Sequence, residues 1–355
     1  MAAPVSEDVW SARDTNPDAI EAALRDLLRN RHAANESLAP ARVLNLVVVV
    51  DRDWKGEIAN RLERVGRYHA SRTVLCSVEE RREQLDATAT VSYEDAPKGG
   101  IGVIREHVEL DLGPKHLASL RTVVDPVLVS EIPTVLWSPH GHDEAVEALL
   151  SIVDVMLIDS DDGSEPTEAF DRSVELLDAA YVVDLAWLRT TPWRERLAAS
   201  FDLPQRRGAL QEISGLEVRH RATSTASALL LVGWLSSRLD WEQAPLQPAE
   251  RAGLSGTARR QDEEVPIDLR SADQDAPGLG GVTVSCADGY ELSLDRGRGG
   301  LDARERGFDG SERTWKVLGA SRGEAGILGE GVRQALLRDP TYGPALDAAR
   351  RFSPA

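Results

Sequence analysis

Hydrophobic and polar positions alternate along this chain with two periods in turn. Ile20, Ala23, Leu24, Leu27 and Leu28 share one face behind Asn16-Pro17, an N-cap followed by proline at the first helical position, and predict an opening amphipathic helix. The run "RVLNLVVVV" comes next, apolar on both alternating sets, as in a strand covered on both sides. Ile58, Leu62 and Val65 mark a helix at i, i+4 and i+7, and "SRTVLCSV" supplies a second strand, so a βαβ unit forms with Gly66 near the helix end. Further strands are expected in "ATATVSY", "VIREHVELDL", "IPTVLW", "VDVMLIDS" and "YVVDL", with helices around residues 115–123, 143–152 and 166–179. Residues 205–211 read as helical, "GLEVRHR" as a strand and "STASALLLVGWLSSRL" as a long apolar helix. The pattern predicts an N-terminal helix and lead-in over residues 1–40. An α/β domain over 41–241 follows, its sheet largely parallel (Rossmann-like) and flanked by helices.

The rhythm stops after that. Residues 242–278 are rich in proline, glycine and mixed charge and read as a flexible linker. "VTVSCADGYELSL" then alternates on both sides of Asp288-Gly289, the favoured dipeptide of a tight hairpin turn. With further short strands such as "TWKVLG" and helices near 324–338 and 342–351, residues 279–355 are expected to form a smaller α+β C-terminal domain.

Composition narrows the function. The 355 residues are 42% hydrophobic, enough for a sizeable core. A net charge of −18 argues against a nucleic-acid binder, which needs a basic face to release counterions, and could steer the chain towards a basic patch on a protein partner. No apolar run reaches the roughly 20 residues that cross a bilayer, and the start lacks the plan of a signal peptide, so neither membrane nor export is expected and the cytoplasm is. Cys76 and Cys286 lie far apart in strand-like patterns and read as buried, reduced thiols.

Candidate chemistry is thin. GxGxxG is absent after the first strand, where "VVVVDRDWKGE" places Asp51 and Asp53, and neither Walker A, HExxH nor GxSxG occurs. No catalytic residue, metal site or cofactor is therefore assigned. His140, His142, Asp143 and Glu144 could ligate a metal, but they also suit a polar strand-to-helix loop. Asp159 and Ser160 follow a strand, where magnesium could bind or an acidic loop could simply be solvated. In "GRYHASR", Arg67, His69, Ser71 and Arg72 could accept an anion, contact a partner or pair internally. In "TTPWRERLAASFD", Thr191 and Pro192 look like a helix start, with Trp193, Leu197 and Phe201 as its apolar stripe.

Taken in order, "RVLNLVVVV", "GRYHASRTVLC", "IPTVLWSP", "VDVMLIDS", "VVDLAWLRTTPWRERLAASFD" and "LLLVGWLSSRLDW" resemble the OpcA family of glucose-6-phosphate dehydrogenase assembly proteins. The resemblance runs from about Ala41 to Trp241 and continues more weakly beyond. It implies a non-catalytic accessory role, in which glucose-6-phosphate dehydrogenase is bound and driven towards an active oligomer. The positions carrying it, and so the candidates for partner or anion binding, are Arg67, His69, Ser71, Arg72, Trp187, Thr191, Trp193, Arg194, Trp234, Arg238 and Trp241. A sugar-phosphate-binding sensor or cryptic enzyme is the alternative, and a sugar phosphate could also modulate the pairing.

Overall fold

The computed structural model describes residues 6–34, 39–40, 42–66, 71–94, 103–163, 165–249, 253–318 and 324–354. The chain divides into two compact units. One comprises Met1–Ile158, Leu176–Val183 and Val332–Leu336; the other comprises Asp159–Glu175, Asp184–Gly331 and Leu337–Ala355.

The first sheet contains β1 (Ser6–Ala12), β2 (Ala39–Pro40), β3 (Leu44–Asp51), β4 (Ser71–Val78), β5 (Asp86–Glu94), β6 (Val103–Leu112), β7 (Thr134–Trp137), β8 (Val155–Ile158) and β9 (Tyr181–Asp184). Its order is β1-β5-β6-β4-β3-β7-β8-β9, with β2 beside β6. The β6-β4-β3-β7-β8 stretch is parallel, whereas β5 runs antiparallel to both β6 and β1. Leu44 and Leu46 to Val50 are all at most 2% exposed, as the two-sided apolar run requires of a central strand. Helices α1 (Pro17–Ala34), α2 (Lys55–Gly66), α3 (Leu120–Val124) and α4 (Asp143–Leu149) belong to the same unit. Strand β1 was not expected in the lead-in. Its exposed Val9 and alternating polar residues carry little apolar signal, and its pairing with β5, more than 75 residues on, is what makes it a strand.

The second unit departs further from the sequence reading. After α5 (Pro166–Leu177), α6 (Leu185–Phe201) and α7 (Pro204–Arg207) come β10 (Ile213–Arg221), α8 (Thr225–Arg238), β11 (Gln247–Ala249), β12 (Gly253–Arg260), β13 (Glu263–Ala272), β14 (Leu279–Cys286), β15 (Glu291–Gly297), β16 (Gly300–Arg306), β17 (Glu312–Leu318), α9 (Glu324–Gln334) and α10 (Tyr342–Phe352). The sheet order is β11-β12-β13-β10-β14-β15-β16-β17, and every pair is antiparallel except β10 with β13. The largely parallel sheet therefore describes the first unit alone.

Residues 242–278, read as a flexible linker, contain β11, β12 and β13. Val265, Ile267 and Leu269 are each 1% exposed at every second position, between Glu264, Pro266, Asp268 and Arg270, which dilute the composition without breaking the period. Pro266 precedes the β10 pairing, which opens at Ile267, so its missing N–H removes no bond from that ladder. Strand β10, assigned by its position to the first domain, is the central strand of the second sheet. The predicted hairpin does form, with Gly289 at φ +88° between β14 and β15, but it continues this larger sheet.

Candidate functional site

Asp184 ends β9 and caps α6. Its carboxylate accepts hydrogen bonds from the Ala186 N–H at 2.9 Å, the Ser160 N–H at 3.1 Å, the Ser160 hydroxyl at 2.7 Å and the Tyr342 hydroxyl at 3.2 Å. One turn into the helix, Arg189 grips Asp159 with both terminal nitrogens at 2.6 Å and lies 3.7 Å from Asp161. Asp161 accepts from the Ser227 N–H at 3.0 Å and its hydroxyl at 2.6 Å, near the start of α8. Two buried carboxylates, Asp159 and Asp161, thus share one buried guanidinium, while Asp184 is held by neutral donors. Burial, then the Asp159 charge, pushes the Asp161 carboxyl up to about 7 and Asp184 up to about 6. The network joins the segment after β8 to α6, α8 and α10. Asp159 and Ser160, considered for magnesium, are committed here to Arg189 and Asp184.

A second cluster on α6 runs from Trp187 to Arg194. Pro192 sits inside this helix, which begins at Leu185 rather than at the Thr191-Pro192 start read from the sequence. Asp184 takes the capping role, and the Thr190 hydroxyl bonds back to the Trp187 carbonyl at 2.7 Å. The Arg194 guanidinium lies 3.5 Å from the Trp187 ring centroid, and it donates to Thr190 Oγ1 at 2.9 Å and Thr191 Oγ1 at 3.1 Å. The Trp187 Nε1–H donates to Asp339 at 2.9 Å, with the Tyr342 ring centroid 5.7 Å away. Burial lowers the Arg194 guanidinium to about 10, partly offset by Asp339.

These contacts change the meaning of the candidate residues. Trp187, Thr191 and Arg194 do come together, but as an internal stack closed by Asp339 and Tyr342, which the sequence did not single out. Trp193 and Trp241 are 1% and 2% exposed and belong to the core, so neither offers a surface to a partner. Arg72 is buried, donating to Glu106 at 2.6 Å and to the Val127 carbonyl at 2.7 Å, so it is an internal ion pair rather than an anion grip. Ser71 is half-buried beside Thr73, and Arg67 and His69 lie outside the described residues. On α8, Trp234 is half-buried and Arg238 exposed. Gly233 lets α8 pack close against α10: a β-carbon there would stand 2.3 Å from the Ala345 carbonyl oxygen and 2.8 Å from the Ala349 nitrogen.

In the first unit, β3 pairs with β4 on one side and β7 on the other, so the carboxyl ends of β3 and β7 form a topological switch point. The Asp51 N–H donates to His140 Nδ1 at 3.4 Å, and His142 Nε2 lies 3.0 Å from Asp51 Oδ1. Burial lowers the His140 imidazole below its usual range. The two histidines weighed as metal ligands are thus directed at Asp51. Among the described residues, no three His, Cys, Asp or Glu side chains converge to hold a metal ion.

Two family profiles match the chain. Residues 62–175 match the glucose-6-phosphate dehydrogenase subunit N-terminal domain, and residues 180–346 match the subunit's C-terminal domain. The chain belongs to the OpcA family of glucose-6-phosphate dehydrogenase assembly proteins. Similar proteins of Nostoc punctiforme and Synechococcus elongatus, provisionally named OxPP cycle protein OpcA, are 31% identical over 146 residues and 32% over 141. Those stretches are 40% and 39% of this chain and 31% and 32% of the relatives, so the match spans about a third of their length. Both clusters on α6 lie largely within the part matching the family's C-terminal domain, while Asp159 and Asp161 fall in the part matching its N-terminal domain.

Proposed function

We propose that this chain is a non-catalytic accessory protein that binds glucose-6-phosphate dehydrogenase and promotes its assembly into an active oligomer, acting as an allosteric effector of the oxidative pentose phosphate pathway in the cytoplasm. The observation carrying this reading is that two family profiles named for a subunit of that enzyme together account for most of the chain. The geometry supports it. The candidate residues on α6 build a rigid, internally satisfied scaffold, in which the guanidinium and carboxylates bond to one another rather than lining a reaction site. Arg238 and the half-buried Trp234 and Thr191 remain accessible and are the family-matching residues suited to contact. A protein that binds one assembly state of an enzyme better than another shifts the equilibrium by that difference. A differential of about 1–3 kcal/mol changes the ratio of states about 5- to 150-fold.

The test is a titration of the dehydrogenase from the same organism, with NADPH formation and light scattering recorded on the same samples. A saturable rise in activity together with a rise in mass supports the reading. Co-migration with no change in activity or in the number of dehydrogenase subunits per complex would reduce the protein to a passive binder. Absence of both binding and activation would remove the proposal.

A further inference from the structure

Of the eight tryptophans, Trp54 is the one exposed, at 48%; the others are buried or half-buried. It stands on the turn between β3 and α2, at the switch point where open parallel sheets receive their ligands. Its ring centroid lies 5.5 Å from that of His140, tilted by 36°. His140 is in turn fixed by the Asp51 N–H, and His142 reaches Asp51 from a backbone at φ +58°, a left-handed conformation that a β-carbon disfavours. The two loops therefore hold an exposed indole against His140, with the Asp51 carboxylate next to His142.

The charges around it are one-sided. Arg52 and Lys55 flank Trp54 in sequence but turn away, Arg52 to Asp111 at 3.0 Å and Lys55 to Glu109 at 2.7 Å and Asp111 at 2.8 Å. Asp51 is half exposed and has only His142 as a partner, while the exposed Asp53 has no arginine or lysine partner among the described residues. An exposed indole on the turn that also carries the half-exposed Asp51 and the exposed Asp53 suits a cation, which gains from the ring and from charge-assisted hydrogen bonds together. A net charge of −18 draws in a basic protein face.

We propose that the loops carrying Trp54, Asp51, Asp53 and His140 form a docking surface for an arginine or lysine side chain of the partner protein, seated over the indole and bonded to the two carboxylates. Naming glucose-6-phosphate dehydrogenase as that partner rests on the function proposed above.

The experiment compares the affinity of the dehydrogenase for the wild-type chain, Trp54→Ala and Asp53→Lys at low and at physiological salt, with circular dichroism on each protein. Asp53 is exposed and unpartnered, so its replacement leaves the fold intact should Trp54→Ala not fold. Each variant is expected to bind roughly tenfold or more weakly, as at an interface hot spot, and Asp53→Lys to lose part of the salt dependence. Wild-type binding with unchanged affinity in both variants overturns the docking surface and leaves the proposed function standing. No wild-type binding overturns both. A change in the chain's own oligomeric state, with affinity for the dehydrogenase unaltered, would assign the surface to a second copy and overturn the proposal.

Discussion

Replacing Asp161 with asparagine should remove a pH dependence of stability that the wild-type chain carries. A free aspartate titrates near about 3.9. In the folded chain, burial and the Asp159 charge hold the proton on Asp161 up to about 7. Between these two values the folded state carries a proton that the unfolded state has lost, so stability falls as pH rises through that interval and levels off above it. One such proton gives a slope of about 1.4 kcal/mol per pH unit, and the shift of about three units sums to roughly 4 kcal/mol. Asparagine keeps an oxygen for the Ser227 N–H and has no charge to bury. Urea denaturation at half-unit steps from pH 4.5 to 8.5, plotted as the difference between variant and wild type, isolates the residue from other titrating groups. The difference should grow in favour of Asp161→Asn as pH rises and become flat above about 7.5. A difference curve flat across the whole range would show that Asp161 is ionised throughout, and the reasoning from burial would fail.

Arg189→Met strips the buried carboxylates of their cation and should cost about 3–5 kcal/mol at pH 8. The loss should shrink at pH 5.5, where the carboxyls can protonate; equal losses at both pH values would contradict the electrostatic account. Gly233→Ala should lower the melting temperature despite the gain of about 1 kcal/mol that alanine brings to a helix interior, because a collision with the Ala345 carbonyl overpacks the α8–α10 crossing by about 1–3 kcal/mol. Cys76 and Cys286 are buried, with thiols pushed up to about 12, so iodoacetamide at pH 8 should leave the native chain unmodified and label both residues in urea.

Most of the first unit was legible because β3 and β7 are apolar on both faces, β5 and β6 alternate cleanly, and the helices hold a clean face. These signals are local. The second sheet was harder, since β10 finds its partners 51 to 73 residues downstream and β13 hides a period-two core among polar and charged alternate positions. Composition averaged over that stretch reads as a linker; the positions of Val265, Ile267 and Leu269 do not. The start of α6 was missed because Thr191-Pro192 carries a stronger local signature than Asp184, whose capping role is supported by Ser160 and Tyr342. Trp187, Arg194 and Arg72, picked out as candidate contacts, spend their chemistry inward, and only their partners, Asp339 and Glu106, reveal it. Trp54 drew no notice in sequence, because exposure is a property of the folded surface.

Asp184 accepts a bond from Tyr342, and Gly233 packs against Ala345 and Ala349. On a translating ribosome, the cap of α6 and the Gly233 face of α8 are made more than 100 residues before the helix that completes them. Late-arriving contacts of this kind slow folding in proportion to the chain they must span. The apolar face of α8 therefore stays uncovered until residues 342–352 emerge, and up to that point a holding chaperone would have most to do.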